Sequence, residues 1–452
     1  WGEVEAAGLP DRRLTKRLGK LVERLSQFPE RSLPQVFGGW KETKAAYRFL
    51  DNERVSHAAL MMGQRDETRQ RIIDRGESTV LMVQDTTGFD FKHHPATDEM
   101  GPLENEHMNG FLAHSTLAVS ADGVPLGLWE QQVWVRNPEE TGKRHQRHQK
   151  AFEEKESYKW VRGLPEGGSL LKQQVITVCD REAHIYEFLD EAHSRSAQFI
   201  VRASRGRGHN LEGQDVFEVV GEWPVQQGYK LLLKRHPDRQ PREAMLELRF
   251  GTLTLARPRR SQASHETLQV QVVEAREVNP PPGEKGVHWL LLTSLPVDSL
   301  AQAHQIVQWY TFRWLVERFH YVLKSGCRLE ERQLQTRPRL ERLLGVFNLV
   351  SWNLLWLTYQ TRLTPDMPCV VALDEVQWQA LYAFTHHTFQ LPSTPPTLHE
   401  AVRWIAQLGG FLGRTGDGEP GVKVLWRGWQ RLQDIVTAWR ILYPSHPLVG
   451  NA

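Results

Sequence analysis

The apolar residues between Thr79 and Val201 change period along the chain, and the order of these periods restricts the fold of the segment. Apolar runs of strand length come first, and Asp122-Gly123 between two of them is a hairpin signal. Helix and strand patterns then alternate. The predicted strands are Thr79–Gln84, Phe111–Ala121, Leu126–Val135, Val175–Cys179 and Gln198–Val201, and the predicted helices are Glu153–Val161 and Glu182–His193. This order predicts an α/β fold built on a mixed sheet.

A strand-rich segment and two long helices follow this sheet. Strand patterns fill about 206–296, and helices are predicted over Leu300–Lys324 and Leu340–Tyr359. Three antiparallel strands, then helix, strand, helix and strand, are expected of an RNase H-like mixed sheet, with the strand-rich segment as an insertion. The insertion carries basic turns at Arg205 and Arg207, Lys234 and Arg235, Arg239 and Arg242, and Arg257, Arg259 and Arg260.

The chain of 452 residues is too long for one ordinary core. We expect a helical N-terminal domain over 1–75, the RNase H-like domain with its insertion over 76–364, and a helical C-terminal domain over 365–452. The longest apolar stretch, Gly345–Leu357, is too short to span a bilayer, so no membrane association is expected. Three widely spaced cysteines predict neither a disulfide framework nor a zinc site and fit a reducing cytoplasm.

The net charge is only +2, but basic residues are concentrated on a predicted helix from Arg12 to Arg24. On a helical wheel they form a narrow stripe beside an apolar face that contains Leu14, Leu18 and Leu21. Such a stripe is typical of a helix that lies along a DNA backbone, and also of a solvated amphipathic helix. The stripe consists of Arg13, Arg17, Lys20 and Arg24, and a second predicted helix, from Glu42 to Leu50, carries Arg48.

Two aspartates directly follow apolar strand patterns. Asp85 follows Thr79–Gln84, and Asp180 follows Val175–Cys179. A carboxylate at a strand end is held rigidly at the rim of a sheet, where it can bind a hard cation such as Mg²⁺. Taken singly, each aspartate fits a structural role better, because Asp85 could cap a turn and Asp180 could cap a helix N-terminus.

The predicted helix Leu300–Lys324 aligns a phenol, a guanidinium, a carboxylate and an ammonium group within about 60° of one another. Apolar side chains occupy the opposite side, so the helix would bury one face and present these groups along a ridge. A solvated helix with an Arg–Glu pair at i, i+4 would show the same pattern, so the ridge alone leaves both interpretations open. The ridge residues are Tyr310, Arg313, Glu317 and Lys324.

The chain resembles bacterial DDE transposases of the transposon-five type, because this ridge has the spacing of their Y-R-E-K signature. The sequence segments around the three carboxylates also match this family: QDTTGFDF at Asp85, VCDREAHIYEFL at Asp180 and YTFRWLVERFH at Glu317. AAYRFLDN, NPPPGEKGVHWLLLTSLPVDSLAQA and LGGFLGRTGDG also match. The similarity covers nearly the whole chain, with Tyr321 in place of one family lysine.

The resemblance implies roles for individual residues. Asp85, Asp180 and Glu317 would be the catalytic carboxylates and the metal ligands. Trp289 matches a family tryptophan that stacks on a base flipped out of the duplex, although its apolar flanks also fit a core aromatic. The implied DNA-binding residues are Tyr310, Arg313, Lys324, Arg202, Trp289, Arg13, Arg17, Lys20, Arg24 and Arg48.

The resemblance also implies an activity and partners. It predicts a metal-dependent DNA transposase that nicks a strand, forms and opens a hairpin, and joins the end to target DNA. Two Mg²⁺ ions per active site would be the cofactors, with Mn²⁺ able to substitute. The partners would be double-stranded DNA, as transposon inverted-repeat ends and as target, and a second copy in a homodimer on paired ends. The expected location is the cytoplasm, at the bacterial nucleoid when bound to DNA.

A C-terminal apolar stripe is the candidate dimer contact, although it could instead belong to the core of one subunit. Its residues are Leu425, Trp429, Leu432, Val436 and Trp439.

Two other functions are compatible with parts of the sequence. A different RNase H-like nuclease, such as a junction resolvase, would share the strand-end aspartates but not the Y-R-E-K ridge. A catalytically inactive DNA-binding relative or inhibitor would keep the fold, but such proteins often lack a carboxylate or the N-terminal region. Both features are present in this sequence, which favours an active enzyme.

Overall fold

The computed structural model describes residues 2–104, 107–140, 142, 149–165, 172–233 and 242–443. Its N-terminal part is helical, as predicted. The basic helix begins after Asp11, whose carboxylate accepts hydrogen bonds from the backbone N–H groups of Arg13 and Leu14. The helices of this part are α1 (Gly2–Glu5), α2 (Arg12–Gln27), α3 (Leu33–Phe37), α4 (Trp40–Leu50) and α5 (His57–Asp74).

The described strands form one mixed sheet of ten strands. They are β1 (Thr79–Asp90), β2 (Gly101–Pro102), β3 (Asn109–Ser120), β4 (Pro125–Trp134), β5 (Gln174–Cys179), β6 (Gln198–Arg202), β7 (Gln227–Leu233), β8 (Arg242–Ala256), β9 (Thr267–Glu277) and β10 (His288–Thr293). Across the sheet, β1 lies between β3 and β5, and β4 covers the outer side of β3. β1 pairs antiparallel with β3 and parallel with β5, which in turn is parallel to β6. This arrangement confirms the predicted RNase H-like mixed sheet.

The central strand β1 is buried on both faces because helices cover the sheet on both sides. Alternate residues point to opposite faces of a strand. Leu81 and Val83 therefore pack into the main core, whereas Val80 and Met82 pack into a smaller cluster on the other face. Asp85 has the same parity as Leu81 and Val83, so it emerges on the face of the main core.

The first strand is longer than predicted. The sequence pattern ends at Gln84, but β1 continues to Asp90 because β3 stays paired with it as far as Gly110. The parallel neighbour β5 is the strand that stops, at Cys179. Asp85 therefore lies inside a strand, at the level where its parallel neighbour ends.

The strand-rich insertion extends the core sheet. β10 pairs antiparallel with β6 at one edge and with β9 at the other, and β8 and β7 follow outward. The insertion and the RNase H-like strands therefore share one hydrogen-bonded sheet. Lys234, Arg235 and Arg239 of the predicted basic turns lie outside the described residues.

The remaining described helices are α6 (Lys159–Arg162), α7 (Tyr186–Ser194), α8 (Val216–Gly221), α9 (Leu300–Thr311), α10 (Trp314–Tyr321), α11 (Arg337–Leu363), α12 (Glu375–His386), α13 (Leu398–Leu408) and α14 (Val422–Leu442). The predicted helix Glu153–Val161 is instead two 3₁₀ turns followed by α6, because Lys155 has an extended backbone. Within the described ranges, no helix is both long and apolar enough to cross a membrane.

The helix predicted from Leu300 to Lys324 consists of three pieces. α9 and α10 are separated at Phe312 and Arg313, where the Arg313 N–H bonds to the carbonyl of Tyr310 with a tighter i, i+3 spacing. A π-helical turn over Val322–Gly326 then follows α10. Each change in the number of residues per turn rotates the side chains that follow it away from their positions on an ideal helical wheel.

The C-terminal helices α12, α13 and α14 pack on one another and against α11. Leu425, Leu432 and Val436 are buried in the resulting cluster, whereas Trp429 and Trp439 are only partly buried. Most of the predicted apolar stripe is thus intramolecular core.

Candidate active site

The strand register places Asp85 next to Asp180. Val83 of β1 is paired with Val178 of β5, and continuing this parallel register by two residues sets Asp85 opposite Asp180. Residues aligned on neighbouring strands point to the same face of a sheet. The two carboxylates therefore share the face that α10 covers.

The same row continues into β6 and β10. Cys179 is paired with Val201, so Asp180 is followed across the sheet by Arg202, which is itself paired with Leu291 of β10. The Arg202 guanidinium donates a hydrogen bond to the carbonyl of His288 at 3.3 Å. The positively charged Arg202 side chain thus follows the two aspartates in this row, on the side of the insertion.

Asp85 is poorly solvated, and its side chain is only 20% exposed. Its pKa is raised to about 7, mainly by burial and also by the negative charges of Asp180 and Glu317, against the opposing effect of Arg313. Glu317 lies on α10, the helix that packs against β1, so its charge acts on Asp85.

Asp180 also has the structural role that its sequence context suggested. Its Oδ1 accepts a hydrogen bond of 2.7 Å from the backbone N–H of Glu182 and so caps the 3₁₀ turn Arg181–Ala183. One carboxylate oxygen is therefore occupied in fixing the side chain, which restricts the direction of the other.

Glu317 forms an ion pair with Arg313, one turn earlier. The Arg313 side chain is 16% exposed and that of Glu317 is 48% exposed. Burial disfavours the charge on Arg313, but Tyr310, Glu317 and Asp85 more than offset this effect, and the net result is a raised pKa. The guanidinium is therefore the counter-charge for the carboxylates.

Tyr310 and Trp289 are in direct contact. Their ring centroids are 5.2 Å apart in an edge-to-face arrangement, which is a favoured geometry for aromatic pairs. Tyr310 is buried, whereas Trp289 is only partly buried. The two rings join the first helix of the ridge to strand β10 of the insertion.

Lys324 lies within the π-helical turn that follows α10. Its ammonium lies 3.5 Å from the Glu330 carboxylate and 5.6 Å from the centre of the Phe89 ring. Glu330 in turn accepts a hydrogen bond of 2.9 Å from the backbone N–H of Asp90, at the end of β1. Tyr310, Arg313 and Glu317 are thus gathered at the row of aspartates, and Lys324 lies beside the end of β1.

The predicted basic stripe is a solvent-exposed face of α2. Leu14, Leu18 and Leu21 on its other side are buried in the main core. No ion pair to another described residue is found for the stripe residues, and Arg48 on α4 is exposed as well. The exposed stripe residues are Arg13, Arg17, Lys20 and Arg24.

The carboxylates are suited to a hard cation by their chemistry, since all three offer oxygen ligands. As they stand, however, they do not surround a common point. Within the described parts of the chain, no three His, Cys, Asp or Glu side chains form a ready metal site. One of the three carboxylates, that of Glu317, is instead bound to the Arg313 guanidinium.

Three protein families match the chain in succession. The family described as transposase DNA-binding matches residues 2–55, the transposase DDE domain matches 159–354, and the transposase Tn5 dimerisation domain matches 349–443. The chain is a Tn5-type DDE transposase. The match to the DDE domain shows a catalytic transposase, and DDE transposases generally use divalent metal ions.

The three matches cover the transposase unevenly. The DDE match includes Asp180 and Glu317 but begins after Asp85, so the role of Asp85 depends on the strand register and on its sequence context. The DNA-binding match contains α2 and α4, on which the basic residues are exposed. The dimerisation match contains α12, α13 and α14.

Sequence reasoning missed one residue of this transposase site. His320 lies on α10, buried, with its Nδ1 3.8 Å from the Asp85 carboxylate. Burial and the positive charges of Lys324 and Arg313 lower its pKa to about 3, so the ring is neutral. Its position three residues after Glu317, one helical turn further, is the signal that could have identified it.

Proposed function

We propose that this transposase performs cut-and-paste DNA transposition with Asp85, Asp180 and Glu317 as the ligands of two divalent cations, Mg²⁺ or Mn²⁺. The observation that carries the proposal is the juxtaposition of Asp85 and Asp180 on parallel strands, with Glu317 on the helix that covers them. Bound cations would activate a hydroxyl nucleophile and stabilise the leaving 3′ oxygen of an in-line displacement.

Glu317 exchanges partners in this proposal. In the structure it neutralises Arg313, whereas in the working site it would turn to the cations and release the guanidinium. Arg313 is then available to a DNA phosphate, which it can bind with two parallel hydrogen bonds. One ion pair therefore connects metal binding to DNA binding.

The reaction consists of successive phosphoryl transfers at one site. Water attacks a phosphorus atom at the transposon end and releases a 3′ hydroxyl. This hydroxyl attacks the opposite strand, which closes a hairpin and frees the end from flanking DNA. Water then opens the hairpin, and the 3′ hydroxyl attacks target DNA. In each step one P–O bond forms as another breaks, so no redox partner is needed.

Trp289 and Tyr310 are suited to the hairpin step. A sharply bent strand is relieved when one base leaves the stack, and an exposed indole face can receive that base. Trp289 is partly exposed and its ring is in contact with Tyr310, so the indole is held in place while part of its surface stays accessible. Arg202, Arg313 and Lys324 would bind the phosphates on either side of the bend.

The exposed stripe of α2 and Arg48 of α4 would bind the transposon end. Their side chains are free to meet phosphates, and the helices that carry them are anchored in the core on their other faces. Contacts of this kind fix the register of a protein on duplex DNA.

We further propose a homodimer in which each subunit cuts the end bound by its partner. The buried part of the C-terminal apolar stripe is unavailable for this contact. An exposed aromatic group remains, formed by Phe389, Trp439 and Tyr443, with ring centroids 4.5 to 6.2 Å apart. Ile441 and Leu442 beside it are 74% and 70% exposed. This apolar end of α14 is the proposed dimer surface.

Glu317→Gln tests the catalytic proposal. The substitution keeps the size of the side chain but removes the charge, and we expect nicking to fall at least about 10³-fold, because metal stabilisation of the transition state is worth several kcal/mol. The assay uses purified protein, Mg²⁺ and a duplex that carries the inverted repeat flanking the coding sequence.

Glu191→Gln is the matched control. Glu191 on α7 forms an i, i+4 ion pair with Arg195, as Glu317 on α10 does with Arg313. The control should nick as the wild type does. Nicking by Glu317→Gln at the wild-type rate would reject the metal-ligand role. A wild-type protein that binds the repeat but never nicks it would instead indicate an inactive relative.

A further inference from the structure

A series of buried polar side chains lies beneath Asp85, and the cleavage scheme gives it no role. The series crosses the core from α10 through β3 and β4 to α11 and the start of α5. His320, Ser115, Gln131 and Asn348 are each at least nine-tenths buried. Polar groups that are buried at such depth are costly unless they are hydrogen-bonded. The buried series consists of His320, Ser115, Gln131, Asn348 and His57.

The orientation of Gln131 follows from its neighbours. Its Oε1 accepts hydrogen bonds from Asn348 Nδ2 at 2.8 Å and from His57 Nε2 at 2.9 Å. Its Nε2 donates to Asn348 Oδ1 at 3.3 Å and to Ser115 Oγ at 3.0 Å. In this orientation each polar atom of the Gln131 amide faces a group of the complementary kind.

The orientation of Gln131 sets the proton position on His320. Ser115 Oγ accepts from Gln131, which leaves the hydroxyl hydrogen to be donated to His320 Nε2, 3.0 Å away. A neutral imidazole with Nε2 as acceptor carries its hydrogen on Nδ1. Nδ1 is the nitrogen that faces Asp85 Oδ2 at 3.8 Å.

Ser115 is also the residue paired with Asp85 across β1 and β3. The same serine therefore fixes the backbone next to Asp85 and the ring that faces its carboxylate. The 3.8 Å separation exceeds a hydrogen bond by less than about 1 Å, so a small approach of Oδ2 completes the contact.

We propose that His320 is a positioning residue that orients the Asp85 carboxylate for metal binding through its Nδ1–H group. The buried series from Ser115 to Asn348 fixes the tautomer and the ring. This inference rests on the proposed role of Asp85 as a metal ligand. Groups behind metal ligands commonly act in this way, since they fix the ligand's direction before the cation arrives.

His114 offers a matched comparison inside the same sheet. It is equally buried and also contacts β1, but on the opposite face. Its Nδ1 bonds to Thr86 and its Nε2 to Gln84, each at 2.9 Å. Both nitrogens of His114 are thus used within the core, whereas the second nitrogen of His320 faces Asp85.

The test compares four variants of the full chain, His320→Ala, His320→Asn, His320→Gln and His114→Ala, on the same inverted-repeat duplex. The amide nitrogen of Asn can take the place of Nδ1, whereas that of Gln reaches the place of Nε2. We expect His320→Ala to nick about 10- to 100-fold more slowly and to need more Mg²⁺ for its half-maximal rate. His320→Asn should recover much of the rate, and His320→Gln should not.

End binding without metal and the melting temperature separate positioning from folding. Both should change no more in the His320 variants than in His114→Ala, whose nicking and Mg²⁺ dependence should remain those of the wild type. Equal rescue by Asn and Gln, or an equal loss in His114→Ala, would overturn the proposal. If Asp85→Asn abolishes nicking while the His320 variants nick normally, the positioning role alone is wrong. Normal nicking by Asp85→Asn would reject the metal-ligand role itself.

Discussion

Arg313 is the residue on which the charge balance of the site depends. Its guanidinium is ion-paired with Glu317 and interacts with Asp85, which is itself close to Asp180. A cation and a guanidinium would compete for the same carboxylates. In this structure the Arg313 guanidinium therefore supplies the positive charge that a bound metal ion would otherwise provide.

Arg313→Gln should make the transposase depend more on added metal. Loss of the guanidinium leaves repelling carboxylates, and we expect a destabilisation of about 0.5 to 3 kcal/mol in the absence of Mg²⁺. Mg²⁺ should raise the melting temperature of the variant more than that of the wild type, because ligand binding to the folded state stabilises it. Thermal melts over a Mg²⁺ series measure both effects.

The control for this prediction is Arg195→Gln, which removes the comparable i, i+4 partner of Glu191. Its response to Mg²⁺ should match that of the wild type. An Arg313→Gln protein with the wild-type response would show that the guanidinium does not compete with the cation.

At the residue scale, sequence spacing predicted which side chains share a helix face but not which partners they choose. Tyr310, Arg313 and Glu317 are close to one another and to the aspartates, in agreement with the wheel. Spacing left the i, i+4 pairing of Arg313 with Glu317 as one of two interpretations, and it did not indicate the pairing of Lys324 with Glu330. The role of Asp85, Asp180 and Glu317 as metal ligands remains a prediction.

At the scale of single elements, the apolar period located most strands and helices. It could not show that β1 runs on past Asp85, because that extension depends on pairing with β3. Nor could it show the π-helical turn after α10, since one extra residue per turn leaves no mark on the apolar pattern. Such turns often occur at functional sites, and this one contains Lys324 of the predicted ridge.

The exposed face of α2 provides a prediction for one element. Arg17→Ala should weaken binding to the inverted-repeat duplex and lower the slope of log affinity against log salt by about 1, because one phosphate contact is lost. Fluorescence anisotropy over a salt series gives both quantities. The fold should be unaffected, since Arg17 is exposed.

Arg12→Ala is the control for Arg17→Ala, because Arg12 is equally exposed but lies outside the stripe on the helical wheel. It should retain the wild-type salt slope. If both substitutions have the same effect, charge near the N-terminus matters and the stripe itself does not.

For the whole molecule, the fold class and the family could be predicted from sequence because strand order and motif order are both recorded in it. The pairing of the insertion with the core sheet could not be predicted, because β6 and β10 are far apart in the chain. The apolar stripe on α14 illustrates the same limit. Its period identified a helix, but the packing of α12 and α13 decided that Leu425, Leu432 and Val436 are core.

The proposed dimer surface gives a prediction for the assembly. Phe389→Glu should leave binding to a single end unchanged and should prevent two ends from being held together, because a charge would be buried in an apolar contact. Phe389 is 70% exposed, so the subunit itself should fold normally. Sedimentation with end DNA measures the number of subunits and ends in the complex.

Leu412→Glu is the control for the dimer surface. Leu412 is 68% exposed on the loop after α13, and it is not part of the aromatic group of Phe389, Trp439 and Tyr443. This variant should still pair two ends. Pairing by Phe389→Glu would place the contact between subunits elsewhere.

The joining of β10 to β6 has a consequence for how relatives of this chain can diverge. Neighbouring strands are held about 4.8 Å apart by their hydrogen bonds, so three such intervals put β10 about 14 Å from β1. The separation between Trp289 and the aspartates is thereby set by backbone pairing. Loops between β7, β8 and β9 can lengthen, shorten or change charge without altering the distance between Trp289 and the aspartates. The insertion can thus diverge in sequence while the distance from the proposed metal ligands to Trp289 stays constant.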